Sequence, residues 1–384
     1  MQKREYLDLL TEKGNRFYYR RDPLMPIYEE LEEFLSDCAE MDNLHFAKKM
    51  LFSHELKANN QVEGYGYDLT LIENLINKKT ARIKDEDVRR RILNLYRGYQ
   101  YILASNEVNS LSLKKLYQIL SDGLLEERDI KNMGKFYREA PVYILQNGRL
   151  DTDLEEAVYY ENIPRLIESY LEFFNKTMTD STATSKYIKS QILHFYFVYI
   201  HPYFDVNGRT SRTMALWYLL NEKIYPYIIF NRGISFAGSS YDRLIRDAKF
   251  SFDITYFLRF MMESVKVELE KEKVMQNIAQ NTTHKLSGID YQTMLYLLSM
   301  PGNRTIGDFV HFYNHLNDKK RVSEIYEEML LPLIESDILK VMRYSKKNLT
   351  DTIPNMFLDF NEDVTPSESD LHLKRLKVFQ SSKK

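Results

Sequence analysis

Between residues 201 and 212 the chain reads HPYFDVNGRTSR, a short stretch that carries an imidazole, a carboxylate and two guanidinium groups. His201 is the one group there that ordinarily titrates near neutrality, which suits it to take a proton from an attacking hydroxyl. Pro202 disfavours a helical conformation for His201 and lacks an N–H, so the preceding helix must end there with the imidazole facing a loop. Asn207 and Gly208 turn the chain. A helix starting close behind them aims unpaired N–H groups and the positive end of its dipole at one spot, which favours phosphate. Arg209 and Arg212, three residues apart, share a helical face in the first turn and reach successive phosphates. Asp205 adds a carboxylate for a hard cation of the kind that bridges phosphates. Together these groups describe a nucleotide-dependent transfer site, whereas an ordinary helix–loop–helix corner accounts for any one of them alone. An EF-hand fails on spacing, because its twelfth-position carboxylate falls on Met214. There is neither a Walker loop ending in Lys-Ser or Lys-Thr nor a His-Glu-x-x-His helix.

The elements that must position these groups are mostly helical. Ile188, Ile192, Phe195 and Tyr199 predict a helix over about 185–200, and a second is expected from near Thr210 through MALWYLL. Apolar residues recur every three to four positions from Leu31 to Leu56, and the pattern continues over 69–105 and 111–126. GKFYREAPVYIL, residues 134–145, breaks it with β-prone residues flanked by Gly134 and Pro141, and reads as a short hairpin or flap. Residues 254–275 form a helix that is apolar first and charged later, and 277–288 reads as a linker. Beyond it come a helix, a turn at 301–303, two more helices and a strand, ILKVMRY, in an order that resembles a winged helix. The expected fold class is therefore all-α with a short β-hairpin flap, followed by a winged-helix-like α+β domain. The expected divisions are an N-terminal helical region (1–105), a core (106–276), the linker (277–288) and the C-terminal domain with its tail (289–384).

At 384 residues the chain exceeds the size at which a single core stops growing. Its net charge of -2, with both signs interspersed, provides no global field toward nucleic acid or an anionic membrane, so phosphate binding must be local. Cys38 is the sole cysteine, which excludes an intrachain disulfide and a Cys-rich zinc site. MQKREYLDLL has charge where a signal peptide needs an apolar core, and ILHFYFVYI is too short to span a bilayer. A cytoplasmic protein without membrane contact is expected.

Residues 201–212 resemble the Fic family signature, His-x-Phe-x-(Asp or Glu)-Gly-Asn-Gly-Arg-x-x-Arg, with Tyr203 in place of Phe and Val206 in place of Gly. The family is mostly α-helical and typically moves AMP from ATP to a hydroxyl of a target protein. The resemblance implies that His201 is the general base, Asp205 the Mg²⁺ ligand, Asn207 and the Gly208 backbone part of a phosphate cradle, and Arg209 and Arg212 the β- and γ-phosphate contacts. ATP and Mg²⁺ are the implied substrate and ion. Tyr203 adds a hydroxyl that needs a partner. Val206 is the more serious departure, since a β-branched residue is strained wherever the loop requires positive φ.

Two further matches lie outside that signature. NNQVEG, from Asn59 to Gly64, is similar to the family's autoinhibitory (Ser or Thr)-x-x-x-Glu-(Gly or Asn), with Asn59 replacing the hydroxyl residue. It places a candidate inhibitory helix near 50–64 and implies that Glu63 pairs with Arg212, gating the γ-phosphate site. Arg138, Val142 and Ile144 match the family's Arg-x-x-x-Val-x-Ile, which implies a flap that docks a target segment by strand addition. SSYDRLIRDAKFSFDITYFLRFMM resembles the helices that close the family core, where Tyr241 either borders the adenine or packs. The implied partners are a target protein bearing a Ser, Thr or Tyr hydroxyl, the chain itself by self-modification, and a second copy. A regulator acting through the C-terminal domain is the rival reading. Its third helix carries Glu324, Glu327, Glu328 and Glu335, which disfavours DNA and favours protein contact. A Fic enzyme of altered reaction, removing AMP or moving another phosphate-containing group, is the other, with Val206 as its motive. His311 and His315 are spaced for a metal but lack a third ligand.

Overall fold

The computed structural model describes residues 3–39, 45–77, 85–105, 107–145, 154–224, 230–235, 239–281, 285–299, 305–317, 319–342 and 357–360. The turn expected at 301–303 and the tail from 361 onward lie outside these residues. The chain divides into two compact units, Met1–Gly64 with Asn74–Lys266, and Tyr65–Glu73 with Val267–Lys384.

The first unit opens with an antiparallel hairpin, β1 (Arg4–Leu10) and β2 (Arg16–Arg20), which corrects the helical reading of residues 1–105. Leu7 and Leu9 are buried while Tyr6 and Asp8 face out, a period of two too brief to stand out beside the long helical runs. Phe17 from β2 packs edge-on against Phe195, Tyr196, Tyr199 and Phe252, which fastens the hairpin to the core. In chain order there follow α1 (Met25–Ala39), α2 (His45–Val62), α3 (Leu69–Ile76), whose residues up to Glu73 belong to the second unit, α4 (Glu86–Ala104), α5 (Ser110–Leu120) and α6 (Glu127–Lys131). Side-chain oxygens of Asp85 and Asn109 cap the first N–H groups of α4 and α5. A small hairpin of β3 (Tyr143–Leu145) and β4 (Leu154–Glu156) comes next, then α7 (Ile163–Asn175), whose inner face buries Leu166, Ile167, Tyr170 and Phe174.

At the centre lie α8 (Ala183–Ile200) and α9 (Asn207–Asn221). Every residue from Tyr187 to Phe197 and from Arg209 to Leu219 is buried, so both helices are enclosed on all sides. The unit closes with α10 (Phe230–Ser235), α11 (Ser239–Ser251) and the first part of α12 (Thr255–Asn281).

In the second unit α12 continues to Asn281, so helix occupies the start of the stretch expected as a linker. Ala279 and Gln280 there are good helix formers, so the helix carries on past the charged run. Then come α13 (Gly288–Ser299), α14 (Ile306–Leu316) and α15 (Val322–Ile325), which runs through a π-turn into α16 (Leu331–Glu335). An antiparallel ribbon of β5 (Leu339–Met342) and β6 (Phe357–Phe360) follows. The three helical segments and the strand after them come in the expected order, and β6 is a second strand that the sequence reading did not give.

Two buried histidines of the first unit, His54 and His194, together with the half-buried His201, make its stability pH-dependent. Burial, with nearby cations, pushes His194 and His201 down to about 3 and His54 well below its ordinary value. All three are neutral in the fold, whereas in the unfolded chain they take up protons near pH 6.5. Acidification through that value therefore favours the unfolded chain. Glu55, pushed up by burial to about 7, works the opposite way, one group against three. The melting temperature should fall between pH 7 and pH 5, measured by scanning calorimetry.

Candidate active site

α8 ends at Ile200 with His201 in a left-handed conformation (φ 50°), and α9 begins at Asn207 directly behind Val206, also left-handed (φ 66°). The loop between them is pinned by Asn207. Its Oδ1 accepts from the Tyr203 N–H at 3.0 Å and its Nδ2 donates to the Tyr203 carbonyl at 2.8 Å. Its side chain is thus committed to loop shape, which leaves its main-chain N–H for the expected cradle. α9 starts three residues earlier than the apolar spacing suggests, so Asn207, Gly208 and Arg209 form its first turn.

Both departures from the family signature have physical consequences. Tyr203 stacks on Tyr117 with centroids 3.5 Å apart, but its buried hydroxyl finds no partner. Val206 does take up a positive φ, the condition under which strain was expected, and its side chain is buried (1% exposed). Left-handed backbone costs an L-residue about 1–2 kcal/mol, while burying a valine side chain returns about 1.5–3 kcal/mol. Val206→Ala loses the burial and keeps the strain, whereas Val206→Gly loses both. The alanine variant should therefore be the less stable of the two by about 1 kcal/mol in urea denaturation, the reverse of their order in a helix interior.

Arg209 is buried (3% exposed), and its Nε and one terminal nitrogen have no hydrogen-bond partner. Arg212 is also buried but fully engaged. Its terminal nitrogen donates to Glu63 Oε1 at 2.5 Å and to the Asn59 carbonyl at 3.4 Å, and its Nε donates to Asn59 Oδ1 at 2.8 Å. Glu63 stands just past the end of α2, where Gly64 (φ 85°) turns the chain away. Its carboxylate lies against the first turn of α9, so close that a β-carbon at Gly208 would collide with it. Burial raises the Glu63 pKa, yet the charges of Arg212 and Arg209 outweigh that and hold it below its usual range. The expected Glu63–Arg212 pair is therefore present, and the carboxylate occupies the anion-attracting end of α9.

His201 is kept neutral by burial, aided by Lys249 and Arg138. Asp205 is exposed and accepts one hydrogen bond, from the Val206 N–H at 2.6 Å. A lone exposed carboxylate suits Mg²⁺, which keeps several waters and takes further ligands from phosphates. Among the described residues no group of three His, Cys, Asp or Glu converges on a metal position, His311 and His315 included.

Residues 108–219 match the Fic/DOC family model. This stretch is a Fic/DOC domain. A Fic family protein from Desulfovibrio desulfuricans G20 superposes with a TM-score of 0.55 at 16% identity, covering 88% of this chain and 96% of its own. Fic-1 from C. elegans (residues 134–508) superposes with a TM-score of 0.54 at 12% identity, covering 67% of this chain and 76% of that one. At such identities the two show a shared fold. Glu63 and Asn59 lie outside the matched Fic/DOC stretch.

Within the Fic/DOC domain, Arg138 is turned inward and not toward a target. Its Nε donates to the His201 carbonyl at 2.9 Å, and its terminal nitrogens donate to the carbonyls of Ala140 (2.8 Å) and Val158 (2.5 Å). It fastens the flap to the start of the motif. In the hairpin expected over 134–145 the one strand is Tyr143–Leu145, paired with Leu154–Glu156, a second strand that the sequence does not reveal, while Arg138 makes an isolated bridge with Met133. Val142 is half-buried, and its carbonyl accepts from the Ala157 N–H. Ile144 lies in β3, and its side chain lies outside the described residues. Tyr241 is buried, with its hydroxyl 2.5 Å from His194 Nε2. The residue that sequence reading undervalued is Asn59, whose spacing of four from Glu63 puts both on one face of α2.

Proposed function

We propose that this protein is an autoinhibited adenylyltransferase that transfers AMP from ATP to a hydroxyl side chain of a target protein, with Glu63 as the gate on Arg212. The observation that carries this reading is the pair of buried guanidinium groups at the start of α9. One of them has nitrogens without partners, and the other is neutralised by the chain's own carboxylate. An unpaired buried cation is costly, so the site favours an anion, and two adjacent cations at a helix N-terminus match a polyphosphate.

In the transfer, the target hydroxyl oxygen bonds to the α-phosphorus and its proton passes to the neutral His201. The bond from that phosphorus to the bridging oxygen breaks, and pyrophosphate leaves with its charge stabilised by Arg209 and Arg212. Asp205 would hold Mg²⁺, which when bound supplies charge neutralisation between phosphates. The first turn of α9 contributes main-chain N–H groups at Asn207 and Gly208. A target segment would dock by strand addition along an edge of the β3–β4 hairpin. Among the described residues no helix is long and apolar enough to cross a membrane.

The test is ATP affinity. In a Glu63→Gly background, ATP should bind with Mg²⁺, and Arg209→Gln should weaken it by about ten- to a hundred-fold, the worth of a lost charge-assisted contact. Calorimetric titration checks this, and an unchanged affinity would remove the polyphosphate reading.

A further inference from the structure

Where α10 packs on α2, a carboxyl group and a primary amide meet away from solvent. Glu55 of α2 and Asn231 of α10 are buried, at 3% and 0% exposure, and Nδ2 of Asn231 donates to Oε1 of Glu55. The other half of each group is idle. Glu55 Oε2 and Asn231 Oδ1 are both shielded from solvent and have no hydrogen-bond partner. Two acceptors left over on a contact that already holds one hydrogen bond lack only a donor, and leaving them so is costly inside a protein. A single proton on Oε2 supplies it. The acid and the amide then join through two parallel hydrogen bonds, Nδ2–H to Oε1 and Oε2–H to Oδ1. Reversing the amide does not help a carboxylate, because it sets oxygen against oxygen.

We infer that Glu55 carries a proton in the fold and closes a cyclic acid–amide pair with Asn231, so that the seating of α2 on α10 depends on that proton. Its bearing on function rests on the reading of Glu63 as a gate, since α2 is the helix that presents Glu63. The groups that face Glu55 favour its charged form: the Asn231 amide and Arg232 of α10, Arg212 of α9 and the Tyr99 hydroxyl of α4. His54, kept neutral, and Lys57 are its neighbours on α2. Burial outweighs them all and pushes Glu55 up to about 7. As pH rises through that value the proton passes to solvent, Oε2 becomes a buried charge beside Asn231 Oδ1, and one hydrogen bond is lost. The stability that the pair gives is therefore complete below the ordinary glutamate range and lost above neutrality. α2 then loosens, and Glu63 with it, so the nucleotide site opens as the medium turns alkaline.

The experiment follows the Glu55 carboxyl carbon by NMR in the native chain, with the resonance assigned through its backbone. It should lie at the protonated position near pH 5.5 and move to the carboxylate position between about pH 6 and 8, and a carboxylate position throughout would overturn the pair. Glu55→Gln is the isostere of the acid, with Nε2 as a permanent donor to Asn231 Oδ1. Its melting temperature should match that of the native chain near pH 6 and exceed it increasingly up to pH 8.5. A difference that does not change with pH, or a variant less stable at every pH, means that the carboxylate is the working form and the pair is wrong. Hydrogen exchange of the α2 amides, corrected for intrinsic rate, should quicken above pH 7 in the native chain and not in Glu55→Gln. ATP affinity of the native chain should rise by about three- to tenfold from pH 6.5 to 8, the reach of one linked proton, and this rise should be absent in Glu55→Gln and in Glu63→Gly. A rise shared by all three belongs to the nucleotide itself and would overturn the link to the gate. If the carboxyl titrates as expected while Glu63→Gly binds no ATP at any pH, the nucleotide reading is lost and the acid–amide pair stands. A carboxylate at every pH in a chain whose Glu63→Gly variant binds ATP removes the pair and leaves the nucleotide reading intact.

Discussion

Glu63→Gly should raise ATP-dependent labelling of protein by about ten- to a hundred-fold, the kinetic equivalent of one charge-assisted hydrogen bond of about 1.5–3 kcal/mol. The native carboxylate does two things that oppose a triphosphate. It neutralises Arg212 at 2.5 Å, and it sits against Gly208 at the helix end where phosphate oxygens would be gripped. Removing it leaves two buried guanidinium groups without the carboxylate that pairs with Arg212 and whose charge acts on both. The empty variant should accordingly be less stable by about 3 kcal/mol, since breaking a buried pair leaves an uncompensated charge. ATP should recover that loss, because a ligand that binds only the folded chain raises its melting temperature. Labelling with ATP radioactive at the α-phosphate, alongside a thermal shift with and without ATP, measures both effects. Increased labelling without ATP-dependent stabilisation would separate the gate from the cradle.

The second large effect is expected at His201. His201→Ala in the Glu63→Gly background should reduce transfer by about 10²–10⁴-fold while ATP affinity stays within a few-fold, the signature of a lost proton acceptor. His201→Asn is the companion variant, because the residue sits at φ 50° and Asn tolerates left-handed backbone better than Ala. The pH profile adds a sharper test. With its pKa lowered to about 3 by burial and nearby cations, His201 is already neutral well below pH 6.5. The rate constant kcat/KM, which reports the free enzyme, should therefore stay flat as pH falls from 8 to 6, where an unperturbed histidine would begin to protonate.

The catalytic segment is legible from sequence because its chemistry is contiguous. Pro202 ends one helix, Asn207 and Gly208 open the next, and the arginines follow at fixed spacing, so local stereochemistry decides how they are presented. The sequence left positive φ at Val206 as a condition, and the structure meets it. Helix boundaries were less legible where burial is complete. α9 is enclosed on all sides, which erases the sidedness that marks where a helix begins. The hairpin at residues 4–20 escaped notice because strand alternation over seven residues is a weak signal.

What the sequence by itself determined is the inventory of the site and the local geometry of its loop. Only the tertiary structure decided which partners those groups meet. Arg212 finds Glu63 across 149 positions and Asn59 across 153, and Arg138 reaches the His201 carbonyl across 63. Backbone dihedrals carry information over a few residues, and side-chain spacing carries it over a few turns. A buried guanidinium selects its acceptors from whatever the packed chain brings within 3 Å, and that selection is made only when the core closes.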